Sequence, residues 1–148
     1  MMNRREVIKG ILFTFALFES EKTYAGDYKD VNTKGIKRLA NREDPTISEQ
    51  KHVPAIEAPE KINPGEWFDL KVKVGFLKEH PSSPEHWITM IKLLVDGKEI
   101  ASTIFKVGGK SAPIARFRVK LGKSSTVEAI EHCNLHGTWI SDQINIRV

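Results

Sequence analysis

Cysteine is almost missing from this chain: one residue, Cys133, in 148. A single thiol cannot close an intramolecular disulfide, so the fold must hold by its core and by any metal it binds. It also excludes a four-cysteine, rubredoxin-like iron site. Long apolar runs are missing too. The longest uncharged, largely apolar stretch, Gly10 to Phe18, falls far short of the roughly 20 residues of a spanning helix. A large excess of one sign of charge is missing as well, with a net charge of +4. No basic stretch is interleaved with aromatics, so a nucleic-acid platform is not expected. There is no internal repeat and no low-complexity tract.

What remains is the composition of a globular protein, 40% hydrophobic and 28% charged, at the length of one domain with some extra chain. Residues 1–25 read as a targeting segment. Arg4-Arg5 precede apolar residues and Lys9, as in twin-arginine export signals, and Thr23-Tyr24-Ala25 offers a cleavage point before Gly26. Glu19, Glu21 and Lys22 make that region unusually polar, and the alternative is an amphipathic helix that stays on the protein. The segment carries four basic and three acidic residues, so the remainder keeps a charge of +3. Residues 26–48 are polar. They are expected to form an extended arm, with a helical turn around Ile36 to Leu39 and no helix across Pro45.

From Trp67 onward the pattern is β. Phe68 to Val74 and Ala115 to Leu121 place apolar residues at every second position. Ile88 to Val95 is a more continuous apolar run, as in a strand buried on both faces. Asp96-Gly97 supplies a two-residue hairpin turn, and Glu99 to Val107 returns. Thr126 to Cys133 and Gln143 to Val148 complete about six strands. Short strands separated by turn signals predict an all-β antiparallel sandwich over residues 49–148.

The stretch that carries chemistry is His132-Cys133-Asn134-Leu135-His136-Gly137. A thiolate and an imidazole two residues apart can reach one metal from a tight turn. His52 lies before Val53-Pro54, and His80 and His86 bracket Pro81-Ser82-Ser83-Pro84-Glu85. All four histidines fall at strand ends or in loops, where a rigid scaffold can bring them together. One metal bound by His52, His80, His86, Cys133 and His136 is therefore expected. His132 neighbours Cys133 on a strand and should point to the opposite face.

Three segments together, Gln50-Lys51-His52-Val53-Pro54, Lys78-Glu79-His80-Pro81 through His86, and Cys133-Asn134-Leu135-His136-Gly137, match in order and spacing a known family. Over residues 48 to 148 the chain resembles the superoxide reductases, the neelaredoxin and desulfoferrodoxin group, in their one-iron form. The resemblance implies an immunoglobulin-like sandwich and a single non-haem iron, cycling between Fe2+ and Fe3+. Four equatorial histidines (His52, His80, His86 and His136) and an axial Cys133 would hold it. It implies one-electron reduction of superoxide to hydrogen peroxide, with Lys51 drawing in the anion and helping deliver a proton. An external donor such as a rubredoxin or a cytochrome would re-reduce the iron, and a homodimer or homotetramer would fit the family. In one place the sequence departs from the pattern. Gln50 stands where the family motif usually reads Glu, so the resting site is expected to lack a carboxylate ligand. A cupredoxin-like electron carrier, a Cys/His zinc site and a non-catalytic binding module are the competing readings. No methionine follows Cys133 to serve as a cupredoxin's axial ligand.

Overall fold

A computed structural model describes residues 30–148. The targeting segment and residues 26–29 of the arm lie outside these described residues. Two antiparallel sheets face each other, as the alternation predicts. One contains three strands in the order β1 (Pro54–Glu57), β2 (Trp67–Val74) and β5 (Ile114–Lys120). The other runs β4 (Lys98–Ile104), β3 (Ile88–Val95), β6 (Ser125–Cys133) and β7 (Gly137–Ile140). β8 (Ile144–Ile146) pairs with the first half of β6, and β7 with its second half. β6 is thus paired on one side by β3, from Val127 to Cys133, and on the other by β8 near its start and β7 near its end.

Period-two burial explains the strands. Along β5, Ala115, Phe117 and Val119 turn inward while Arg116 and Arg118 face water. Leu70, Val72 and Val74 of β2 meet them, and Ile91, Leu93, Val127 and Ala129 come from the second sheet to close the core. Burying the valine, leucine, isoleucine and phenylalanine side chains among these contributes about 1.5–3 kcal/mol each. Asp96 and Gly97 both take positive φ and make the tight β3–β4 hairpin expected of them.

Three features depart from expectation. The helical turn around Ile36 to Leu39 is absent. That segment is extended, and Lys37 bridges to Trp139 beside β7. Val31 and Ile36 pack against Leu94, Ile130 and Ile140 on the outer side of the larger sheet, which holds the arm flat instead of coiled. Second, a short helix, α1 (Ile47–His52), precedes the first strand, so His52 ends a helix and is not in an extended segment. Thr46 caps it, and the Thr46/Glu49 pair forms a reciprocal capping box. Glu49 is buried and also accepts from the Ala40 backbone N–H at 2.7 Å, which ties the arm to the helix. Third, β1 and β7 add two four-residue strands to the six expected.

β2 ends at Val74, and at the next residue, Gly75, the chain turns toward the histidines with φ +86°. A Cβ there would sit 2.3 Å from the Lys78 carbonyl oxygen and 3.2 Å from that of Lys51. Both neighbours are backbone and cannot step aside. Gly75→Ala should destabilise the protein by roughly 2–4 kcal/mol in urea denaturation. A variant as stable as the parent would show that the turn relaxes freely.

Candidate metal centre

One end of the sandwich gathers all five expected ligands. The last turn of α1 presents His52, the β2–β3 loop His80 and His86, the end of β6 Cys133, and the β6–β7 turn His136. Ligand atoms of His52, His86, Cys133 and His136 lie within 4.8 Å of one another. His136 Nδ1 is 3.1 Å from Nε2 of His52, 3.1 Å from Nε2 of His86 and 3.5 Å from the Cys133 sulfur. His86 Nε2 is 3.2 Å from the same sulfur.

His80 belongs to the same set. Ring centroids are 4.9 Å apart for His52–His80, 4.7 Å for His80–His86, 4.8 Å for His86–His136 and 4.8 Å for His136–His52. These are four nearly equal sides. The His52–His86 diagonal is 6.4 Å, a little shorter than a flat square of such sides requires. Four imidazoles therefore form a slightly puckered square, each ring steeply inclined to its neighbours. His80 is 1% exposed, and its Nε2 is buried with no hydrogen-bond partner among the described residues. A buried, unpartnered lone pair costs on the order of 1–3 kcal/mol unless something coordinates it.

Tautomers are set from outside the square. His52 Nδ1–H donates to the Ser48 carbonyl and His80 Nδ1–H to the Pro81 carbonyl, each at 2.7 Å. Each bond leaves Nε2 as a bare acceptor facing inward, the arrangement a metal-binding histidine needs. Burial lowers the basicity of all three of His52, His80 and His86, that of His80 to about 4. They are neutral at pH 7, with lone pairs available. Burial also pushes the Cys133 thiol up, while the backbone N–H groups of Leu135 and His136 donate to its sulfur and pull the other way. A thiolate here is favoured once a cation shares the site. Three or four imidazoles with one thiolate suit a borderline, redox-active transition metal better than a hard cation. The residues present thus fit an iron ion.

Lys51 sits beside the square and lines a cleft of about 660 Å³ with His80 and Glu79. Its charge acts on His86. Gln50 turns away: its side-chain amide donates to the Pro45 carbonyl at 2.8 Å. Glu49 is fixed in the capping box. His132 points to the outer face, as expected, and contacts Thr138 Oγ1 at 2.8 Å.

Several residues of the centre escape sequence reasoning. Asn134 staples the metal turn to the His86 segment, accepting from Trp87 N–H at 2.9 Å and donating to the Glu85 carbonyl at 2.8 Å. Its position inside Cys133-Asn134-Leu135-His136 was the available signal. Lys37, from the arm, donates to the His136 carbonyl at 2.7 Å and lies over the Trp139 ring, which stacks on His52 at 5.0 Å. Nothing in the sequence links position 37 to position 136. Glu131 lies on the inner face of β6, fully buried, with neither oxygen partnered among the described residues. Burial raises its carboxyl to about 9, so it is protonated at neutral pH.

Comparison with known proteins gives one consistent result. Residues 44–142 match the family described as Desulfoferrodoxin. A putative superoxide reductase of Thermotoga maritima is 37% identical over 114 residues, covering 66% of this chain and 87% of that protein. The superoxide reductase of Pyrococcus furiosus is 34% identical over 107 residues, covering 61% of this chain and 84% of its own length. Among solved structures, the superoxide reductase (neelaredoxin) from Ignicoccus hospitalis superposes with a TM-score of 0.66 at 33% identity, covering 76% of this chain and 94% of that one.

Glu131 yields a test by sign. Its folded-state pKa lies above the usual carboxyl value of 4.5. Between pH 4.5 and about 9 the folded chain therefore holds a proton that the unfolded chain releases, so its contribution to stability is lost as pH rises. Glu131→Gln removes that slope. In metal-free protein the variant should gain on the parent by up to about 1.4 kcal/mol per pH unit from pH 5 to 8. The buried histidines are common to both proteins and cancel in the difference. Parallel stability curves in urea would show that Glu131 is not held protonated.

Proposed function

The chain belongs to the desulfoferrodoxin family, and from that membership we infer that it is a superoxide reductase, an oxidoreductase that takes superoxide as its acceptor. The observation that carries the reading is the square of four imidazoles closed by one buried cysteine. When bound, one iron per chain supplies the single electron that, with two protons, converts superoxide to hydrogen peroxide. His52, His80, His86 and His136 would hold it through the nitrogens that face inward, and Cys133 through its sulfur. A cupredoxin would need fewer imidazoles than this site brings together.

The chain's own residues do the rest. Lys51 supplies positive charge next to His86 and His80, which raises the local concentration of a small anion. Its ammonium also carries protons to the mouth of the site. The Ser48 and Pro81 carbonyls hold two rings in the binding tautomer throughout. Leu135 and His136 N–H groups temper the electron density on the sulfur. With its amide bonded to Pro45, Gln50 is turned away from the histidines and offers the site no ligand. With one cysteine and no second redox motif in the sequence, the electron comes from an outside donor, a rubredoxin or a cytochrome in kind.

Cys133→Ser in iron-loaded protein tests the centre. It should abolish the sulfur-to-iron absorption band and most of the superoxide reaction, and an unchanged spectrum would reject Cys133 as a ligand. For Lys51, pulse-generated superoxide should react roughly ten-fold more slowly with Lys51→Ala at low salt. The gap should narrow as ionic strength rises and screening shortens to about 8 Å. Equal rates at low salt would remove the role. Export is a separate proposal, supported by Arg4-Arg5 ahead of the apolar run and by Ala25. A site assembled from one helix, one loop, one strand end and one turn exists only in the folded chain, which suits a route that carries folded proteins. Cell fractionation should find the parent outside the cytoplasm and a paired Arg4→Lys/Arg5→Lys variant retained. A parent that remains cytoplasmic at full length would end this proposal.

A further inference from the structure

The loop between β4 and β5, Phe105 to Pro113, lies directly on the loop that carries His80 and His86. Gly108 is buried there, and a Cβ on it would fall 2.1 Å from the Ser83 carbonyl oxygen and 2.8 Å from the Trp87 ring. No side chain could be added without lifting one loop off the other. Ser82 then makes two bonds across the junction. Its hydroxyl accepts from Gly109 N–H at 3.2 Å and donates to the Ser111 carbonyl at 2.9 Å. The residue bracketed by those two bonds is Lys110. It lines the same cleft as Lys51, His80 and Glu79.

We propose that Lys110 is a second anion-capturing residue of this site, held at the cleft mouth by Ser82 and admitting small monoanions together with Lys51. The proposal takes its substrate from the superoxide reading but not its geometry. Lys51 and Glu79 alone would leave the cleft electrically neutral. Lys110 gives it a net positive charge, which an entering monoanion requires. Fixing the backbone on both sides of an exposed lysine matters because a freely moving cation spends little time at any one place. The serine lies between two metal-binding histidines, so one short loop both supplies ligands and aims the cation.

The test uses iron-loaded parent, Lys110→Met, Lys110→Glu, Lys110→Arg and Ser82→Ala. Two readouts are taken across a salt series: the second-order rate with pulse-generated superoxide, and the affinity for azide, read from the iron absorption spectrum. One charge about 10 Å from an entering anion in water changes its local concentration about two-fold. Lys110→Met should therefore lower both readouts about two-fold at low salt, and Lys110→Glu about four-fold, while Lys110→Arg preserves them. These gaps should close at high salt. Ser82→Ala should act like Lys110→Met and add nothing to it in the double variant, the sign of a positioning residue. A Lys110→Glu protein equal to the parent in both readouts overturns the proposal. So does a loss that salt does not attenuate, which would mark a packing role. If the parent fails to react with superoxide, the functional reading falls, while azide affinity still decides Lys110. A parent that binds no azide overturns the cleft as an anion entrance.

Discussion

At His52 and His80 the inward ring nitrogen is buried bare, and much of the structure around these two rings holds that state. An imidazole in water is hydrogen-bonded on both sides; here one side is spent on a backbone carbonyl and the other is left facing three more rings. Such an arrangement repels protons and, without a metal, loses free energy on folding. It persists because the scaffold is rigid where the ligands attach. β6 is held on both edges by three partner strands, and Cys133 at its end pairs with Ile88 on one side and Gly137 on the other, so it has no freedom to withdraw. Asn134 locks the adjacent turn to the His86 segment, and Gly75 folds the His80 loop back under α1. The apolar core between the sheets supplies the stability from which that strain is met.

How much of this was legible follows from the range of each interaction. β2, β3 and β5 declare themselves because one buried face imposes a period of two on the sequence. The five ligands are legible because metal chemistry narrows the choice to histidine and cysteine, and the chain holds few of either. α1 is not legible. Six residues give less than two turns of periodicity, and its stabilising box is a Thr46/Glu49 pair that reads equally well as loop. Lys37 could not be foreseen, since its partner lies 99 positions away and the bond is to a backbone carbonyl. Glu131 was accessible in principle: Val127, Ala129, Glu131 and Cys133 share one face of β6, and three of them are plainly core.

The polar arm gives the opposite lesson. Its composition suggests a solvated tether, yet it works as part of the site. Val31 and Ile36 cover the outer side of the larger sheet, and the Ala40 N–H bonds to Glu49. Lys37 places a charge against the carbonyl of a metal-binding residue. Few apolar groups are needed to seat a segment that also satisfies its backbone, because each paired N–H spares a desolvation cost comparable to that of a buried side chain. Composition therefore underestimates how firmly such a segment is held when its bonds run to distant strands.

The helix also settles why position 50 can be an amide. Consecutive residues on an α-helix point about 100° apart, so Glu49 and Gln50 cannot exchange places by any side-chain rotation. Glu49 is turned toward the arm, where it meets Ala40 N–H, Thr46 N–H and the Thr46 hydroxyl, and these donors keep its carboxyl ionised below the usual range. Gln50 faces Pro45, and its own carbonyl accepts from Leu77 and Lys78 N–H. A carboxylate at position 50 would lose its bond to the Pro45 carbonyl, since an ionised acid has no proton to donate. It would then be free to swing toward the histidines. Glutamine is thus compatible with a side chain anchored away from the metal site. Glutamate would place a mobile negative charge next to Lys51 and partly cancel its positive field.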